Sequence, residues 1–178
     1  GSGTVFNTLK PEPGSTIAVF GTGAVGLAAM MAGRISGCTK VIAVDIVPDR
    51  LKLAKELGAT DTINSKDTDP VKAIQDLTDG YGVDYAVDTT GVKSVMEASI
   101  KALAQGGTTA TIAVTDQHVD LDTWNDLCVS DRKVVGVNMG DSIPQVDIPR
   151  LIKFYKMGLF DFDKTEKFYK FDDINQAN

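Results

Sequence analysis

Three glycines and one aspartate carry the chemistry of this chain. Gly21, Gly23 and Gly26 stand at G-x-G-x-x-G spacing, directly after the apolar run Thr16 to Phe20. A helical stretch follows, then a second apolar run, Lys40 to Val44, closed by Asp45. Strand, glycine turn, helix, strand and an acidic residue about 20 positions on form the fingerprint of a dinucleotide site. These residue types make and break no covalent bond; they hold a pyrophosphate and a ribose. Gly21 turns the chain tightly off the strand, Gly23 leaves room for a pyrophosphate against the backbone, and Gly26 lets the helix pack close to the sheet.

Thr22, Ala24 and Val25 fill the positions between the glycines. The first N–H groups of the helix, at Ala24 and Val25, face the phosphates. Each charge-assisted hydrogen bond contributes roughly 1.5–3 kcal/mol. The helix dipole contributes only about 0.3–1 kcal/mol at an exposed site. The amides, more than the dipole, therefore hold the anion. Asp45, with Ile46 beside it, can accept both ribose hydroxyls of the adenosine half. Its charge also repels a 2′-phosphate, by about 4 kcal/mol before screening for unit charges ~4 Å apart at an effective dielectric near 20. The expected cofactor is NAD rather than NADP.

Other candidate chemistry is thin. Asp84 and Asp88 lie on one short strand, Asp84 opening it and Asp88 ending it, so they cannot act as an acid–base pair. The single histidine, His118, sits in the polar stretch Asp116-Gln117-His118 and reads as exposed. Cys38 and Cys128, 90 positions apart, form no C-x-x-C pair, so no metal site is expected and both read as free, partly buried thiols. Free thiols and an opening without signal-peptide character point to the cytoplasm. A net charge of −6 excludes the basic face that nucleic acid or an anionic membrane needs. No apolar run approaches the ~18 residues of a membrane span.

The elements that position these residues alternate along the chain. Helices are expected over Pro48 to Leu57, Val71 to Leu77 behind an Asp69-Pro70 cap, Val92 to Leu103, and Ile143 to Met157 capped by Ser142. Strands are expected at Asp61 to Ile63, Val83 to Asp88, Thr108 to Val114 after a Gly106-Gly107 turn, and Lys133 to Val137. Strands separated by helices pair in parallel through right-handed crossovers. The fold class is α/β: a doubly wound, six-stranded parallel sheet of the Rossmann type, order 3-2-1-4-5-6. A seventh strand, Thr165 to Phe171, stands outside that count, and a helix is expected from Asp172. The chain divides into a lead-in (1–14), a nucleotide-binding domain (15–160) and a tail (161–178), and reads as cut at both ends.

The sequence resembles the coenzyme-binding half of the zinc-type medium-chain alcohol dehydrogenases, most nearly the aryl-alcohol (benzyl-alcohol) branch. The likeness is carried by Leu9-Lys10-Pro11, Pro13-Gly14-Ser15, Val19 to Leu27, Asp45, Arg50, Ala54 to Ala59, Asp88 to Gly91, Gly140 to Pro144 and Phe171 to Asn175. It implies that Arg50 lies along the adenine and that Thr89 and Thr90 line the ribose side, with Gly91 next to them among the cofactor-binding residues. It also implies that Ala113, Val114 and Thr115, with Val137, Asn138 and Met139, meet the nicotinamide end through backbone groups. The catalytic zinc and the proton relay of that family belong to a separate domain, and nothing here matches them. The family pairs a sheet edge across a two-fold axis, which implies a homodimer or higher homo-oligomer through Lys133 to Met139. A zinc-free reductase of the quinone-oxidoreductase type and a non-enzymatic nucleotide-sensing module stay open as alternatives.

Overall fold

A computed structural model describes residues 1–176. The elements are β1 (Thr16–Phe20), α1 (Ala24–Ile35), β2 (Lys40–Asp45), α2 (Pro48–Glu56), β3 (Asp61–Asn64), α3 (Pro70–Leu77), β4 (Val83–Asp88), α4 (Lys93–Lys101), β5 (Leu103–Thr111), β6 (Lys133–Gly136) and α5 (Pro144–Lys156). The six strands form one parallel sheet in the order β3-β2-β1-β4-β5-β6, as the alternation of strands and helices requires. The chain reverses direction across the sheet between β1 and β4. A crevice at their carboxyl ends follows from that reversal.

Side-chain alternation along each strand feeds two cores, one on each face. Ile17, Val19, Val41 and Ala43 pack with Leu27, Met30 and Leu51 on the α1–α2 face. Ala18, Phe20, Ile42 and Val44 pack with Ile74 and Ala102 on the α3–α4 face. Burial on both faces explains why these strands read as continuous apolar runs. Val5 and Leu9, in a π-helical turn at Thr4–Leu9, join the first core, so the lead-in packs onto the sheet domain.

Four expected elements differ. The helix expected to reach Leu103 stops at Lys101, and Leu103 instead opens β5 opposite Val83. Its helical spacing from Ile100 was apolar, but strand pairing buries it to 1% exposure. Gly106-Gly107 is not a turn but lies inside β5, beside a register irregularity at Val83/Tyr85, and β5 ends at Thr111 rather than Val114. Beyond Thr111 the neighbouring β4 and β6 have both ended, and only the Ile112 N–H still reaches across, to the Asp88 carbonyl (3.2 Å). The last helix starts at Pro144 with Ile143 as its cap. The Ser142 hydroxyl donates to the Gly140 carbonyl (3.2 Å), while Asp147 Oδ2 takes the Ile143 N–H (2.9 Å). Among the described residues the tail forms no strand and no α-helix; the end of the helix expected from Asp172 lies outside them. The tail makes 3-10 turns at Phe162–Thr165 and Phe171–Gln176, and residues 166–170 pair with no strand of the sheet.

Candidate functional site

The fingerprint residues meet where the topology predicts. Gly21 leaves β1 at φ +87°, a backbone closed to ordinary side chains. A Cβ there would strike Thr89 Oγ1, whose hydroxyl donates to the carbonyls of Phe20 (2.9 Å) and Gly21 (3.1 Å). Gly23 caps α1, and a Cβ on it would meet nothing within 4 Å. That open face is where a phosphate has room. Ala24 and Val25 are exposed, and helix geometry gives their N–H groups no intrahelical acceptor. A Cβ on Gly26 would collide with the Gly21 carbonyl, so only glycine allows this contact of turn and helix.

Thr22 turns inward and is 1% exposed. Its N–H (2.6 Å) and hydroxyl (2.8 Å) both donate to Asp45 Oδ2. The other oxygen, Oδ1, accepts the N–H groups of Ile46 (2.7 Å) and Val47 (3.0 Å). Burial pushes the Asp45 carboxyl up, but the bonds from Thr22, Val47 and Ile46 outweigh it and hold the group below the usual carboxylate range. Arg50 Nη1 lies 4.0 Å from Oδ2 on an exposed side chain, where screening keeps the pair weak.

A cavity of about 610 Å³ opens over this carboxylate. Gly21, Asp45, Ile46, Arg50 and Thr90, all expected near a bound cofactor, line it. So do residues that sequence reasoning missed: Ser65, Asp69 and Pro70 on one wall, and Val92, Val95 and Ala98 on the other. The Asp69-Pro70 cap was readable, and Asp69 does accept the Val71 N–H (2.9 Å). That it faces the same cavity follows only from the β3–β2–β1 order. Apolar walls with a few polar groups suit a flat heteroaromatic ring.

The remaining expected residues continue along the carboxyl ends of the strands. Thr90 donates through N–H (2.9 Å) and hydroxyl (2.7 Å) to Asp88, which also takes the Gly91 N–H (3.2 Å). Thr115 closes the loop onto the Gly91 carbonyl (2.8 Å), beside Ala113 and a fully exposed Val114. Val137 is buried, its N–H on the Thr111 carbonyl (3.1 Å), while Asn138 and Met139 are exposed. None of these six, Ala113 to Thr115 and Val137 to Met139, lines the cavity itself.

Asp84 and Asp88 do sit at opposite ends of β4. Asp84 accepts the Thr16 N–H and hydroxyl, both at 2.8 Å, far from the cavity. His118 is exposed. Cys38 is half-buried, and burial with the nearby Asp84 pushes its thiol up to about 11. Cys128, expected partly buried, is exposed, because the π-helical turn Thr123–Cys128 lies outside the sheet. Among the described residues no three His, Cys, Asp or Glu side chains converge. The donors present do not fit a zinc site.

Comparison with known proteins agrees with this geometry. The family described as zinc-binding dehydrogenase matches residues 24–156. Alcohol dehydrogenase 1 of Trifolium repens is 36% identical over 181 residues, covering 99% of this chain and 47% of that protein. Geraniol dehydrogenase of Castellaniella defragrans is 34% identical over 179 residues, covering 99% and 48%. Among solved structures, benzyl alcohol dehydrogenase from Acinetobacter calcoaceticus superposes with a TM-score of 0.96 at 42% identity, covering 99% of this chain and 49% of that one. An alcohol dehydrogenase zinc-binding domain protein from Burkholderia ambifaria gives 0.95 at 46%, covering 99% and 48%. The chain spans about half the length of the relatives it matches. With its sheet order, glycine turn and matched span in agreement, this chain belongs to the zinc-binding dehydrogenase family of alcohol dehydrogenases.

Proposed function

We propose that this chain is the NAD-binding half of an alcohol dehydrogenase that oxidises primary aromatic alcohols to aldehydes. The observation that carries the cofactor assignment is the ionised Asp45 carboxylate at the end of β2, set in the wall of the cavity beside the glycine turn. The open face of Gly23 and the first-turn amides of α1 fit a pyrophosphate, and the apolar walls around Val92 and Pro70 fit the adenine. When bound, NAD supplies a hydride acceptor at the nicotinamide. The chain's own residues bind and orient it. The backbone at Ala113 to Thr115 and Val137 to Met139, farther along the strand ends, suits the nicotinamide carboxamide. Positioning of this kind supplies a large part of a catalytic advantage. Zinc, with its ligands, is assigned to the other half of the longer relatives. The aromatic alcohol is suggested by the likeness to the benzyl alcohol dehydrogenase of Acinetobacter calcoaceticus.

Titration calorimetry tests the cofactor assignment. NAD is expected to bind at least about tenfold more tightly than NADP, which needs only about 1.4 kcal/mol of the unscreened repulsion. Asp45→Ala should narrow the gap. Equal affinity of the unmutated chain for both would refute the assignment and favour the zinc-free reductase reading. Equal affinity for NAD and ADP-ribose would favour a nucleotide sensor.

A further inference from the structure

Asp45 is held from behind. Four hydrogen bonds from the protein hold its two oxygens. Three come from backbone N–H groups, of Thr22, Ile46 and Val47. The fourth, at 2.8 Å, is the hydroxyl of Thr22, the only side-chain donor of the set. Thr22 belongs to the glycine turn, is 1% exposed and does not line the cavity. It thus joins the turn to the carboxylate without reaching the space a nucleotide would fill.

We propose that Thr22 is a positioning residue for nucleotide selection: its hydroxyl keeps the Asp45 carboxylate aimed at the cavity edge, so the choice between a free 2′-hydroxyl and a 2′-phosphate depends on it. This deepens the reading of the cavity as an adenosine site and rests on it. Removing the hydroxyl leaves Oδ2 with one donor and the side chain freer to rotate. It also removes one of the bonds that favour the ionised form, so Asp45 takes up a proton at higher pH. Other charges near Asp45 do not bond to Thr22. Arg50 faces it from α2, Asp69 lies across the cavity at the cap of α3, and Asp88 at the end of β4 is engaged by Thr90 and Gly91. A change in the acid limb of binding on loss of the Thr22 hydroxyl therefore reports Asp45.

The test uses the whole chain with ADP-ribose and 2′-phospho-ADP-ribose, titrated calorimetrically from pH 7 down to pH 3, so that the acid limb of wild-type binding is included. Wild type should prefer ADP-ribose. Thr22→Val should weaken ADP-ribose about tenfold, the scale of one hydrogen bond to a charged group, and leave the 2′-phosphorylated probe within about twofold. The pH at which ADP-ribose binding falls to half should rise, because the ionised form of Asp45 has lost one of its donors. Thr22→Ser should keep both wild-type values. Thr22→Ala, which cannot overpack, gives the same readings if the valine variant fails to fold. An unchanged preference and acid midpoint in a folded hydroxyl-free variant would overturn the proposal, as would failure of both such variants to fold. Wild type that binds neither probe would instead refute the adenosine-site reading itself.

Discussion

Alanine at Gly26 and alanine at Gly23 should do opposite things, although the two glycines are three residues apart in one motif. At Gly26 an added Cβ falls on the carbonyl oxygen of Gly21, with the carbonyl carbon at 3.0 Å and Val19 Cγ1 at 3.3 Å. The collision is with backbone, so no flexible side chain can give way, and α1 must back off β1. Overpacking costs about 1–3 kcal/mol, and the rigid partner puts this case at the upper end. Alanine returns up to about 1 kcal/mol as a better helix former. The net loss is about 2 kcal/mol. With a urea slope near 2 kcal/mol/M, the unfolding midpoint should fall by about 1 M. At Gly23 φ is −71° and a Cβ meets nothing within 4 Å. The small capping loss is offset by a stiffer unfolded chain, leaving stability within about 0.5 kcal/mol of wild type. The methyl group would instead stand in the space assigned to the pyrophosphate, and NAD affinity should drop more than about tenfold, the loss of one charge-assisted bond. Urea unfolding followed by circular dichroism and the single tryptophan, Trp124, reads the first quantity; NADH fluorescence titration reads the second. A Gly26→Ala midpoint equal to wild type, or intact binding in Gly23→Ala, would refute this division of labour.

Asp147→Ala should lower the melting temperature by about 5–10 °C. Asp147 is buried, takes the Arg150 Nη2 at 2.6 Å and the Ile143 N–H at 2.9 Å, and Arg150 also bonds Asn7 at 3.1 Å over the Phe6 ring. Partial exposure of Arg150 places the loss near 2–3 kcal/mol, below that of a fully buried pair, and each kcal/mol moves a domain of this size by roughly 2–4 °C. A melt shifted by less than 2 °C would mean the network carries no such weight. The outer edge of β6 is proposed as the seam of a homodimer through Lys133 to Met139, because Val134 is exposed there on an edge strand. Light scattering should give twice the 18.9 kDa chain mass, and a monomeric mass at high concentration would count against that seam.

The sheet order, the glycine turn and the position of Asp45 were all legible in the sequence. Each rests on local signals: apolar runs of strand length, glycines at fixed spacing, and Pro and Gly at helix ends. Parallel pairing of strands joined by helices then leaves few topologies. Where local signals conflicted with pairing, pairing won. Leu103 continues the apolar face of α4 by spacing, yet lies in β5 because Val83 offers it a partner. Thr165 to Phe171 alternates like a strand, yet pairs with no strand of the sheet.

The site divides in the same way. Sequence by itself determined that a glycine turn and a carboxylate come together at the crevice, because both sit at the ends of neighbouring strands, Phe20 level with Val44 in the β1–β2 register. Only the tertiary structure decided that Thr22 points inward onto Asp45 while Ala24 and Val25 face out. That direction depends on the backbone at Gly21 and on how closely Gly26 lets α1 approach. It likewise decided that Asn7, Asp147 and Arg150 form one network across more than 130 residues. No spacing in the sequence reveals such a contact, because it follows from where α5 packs against the opening turn and not from any local preference.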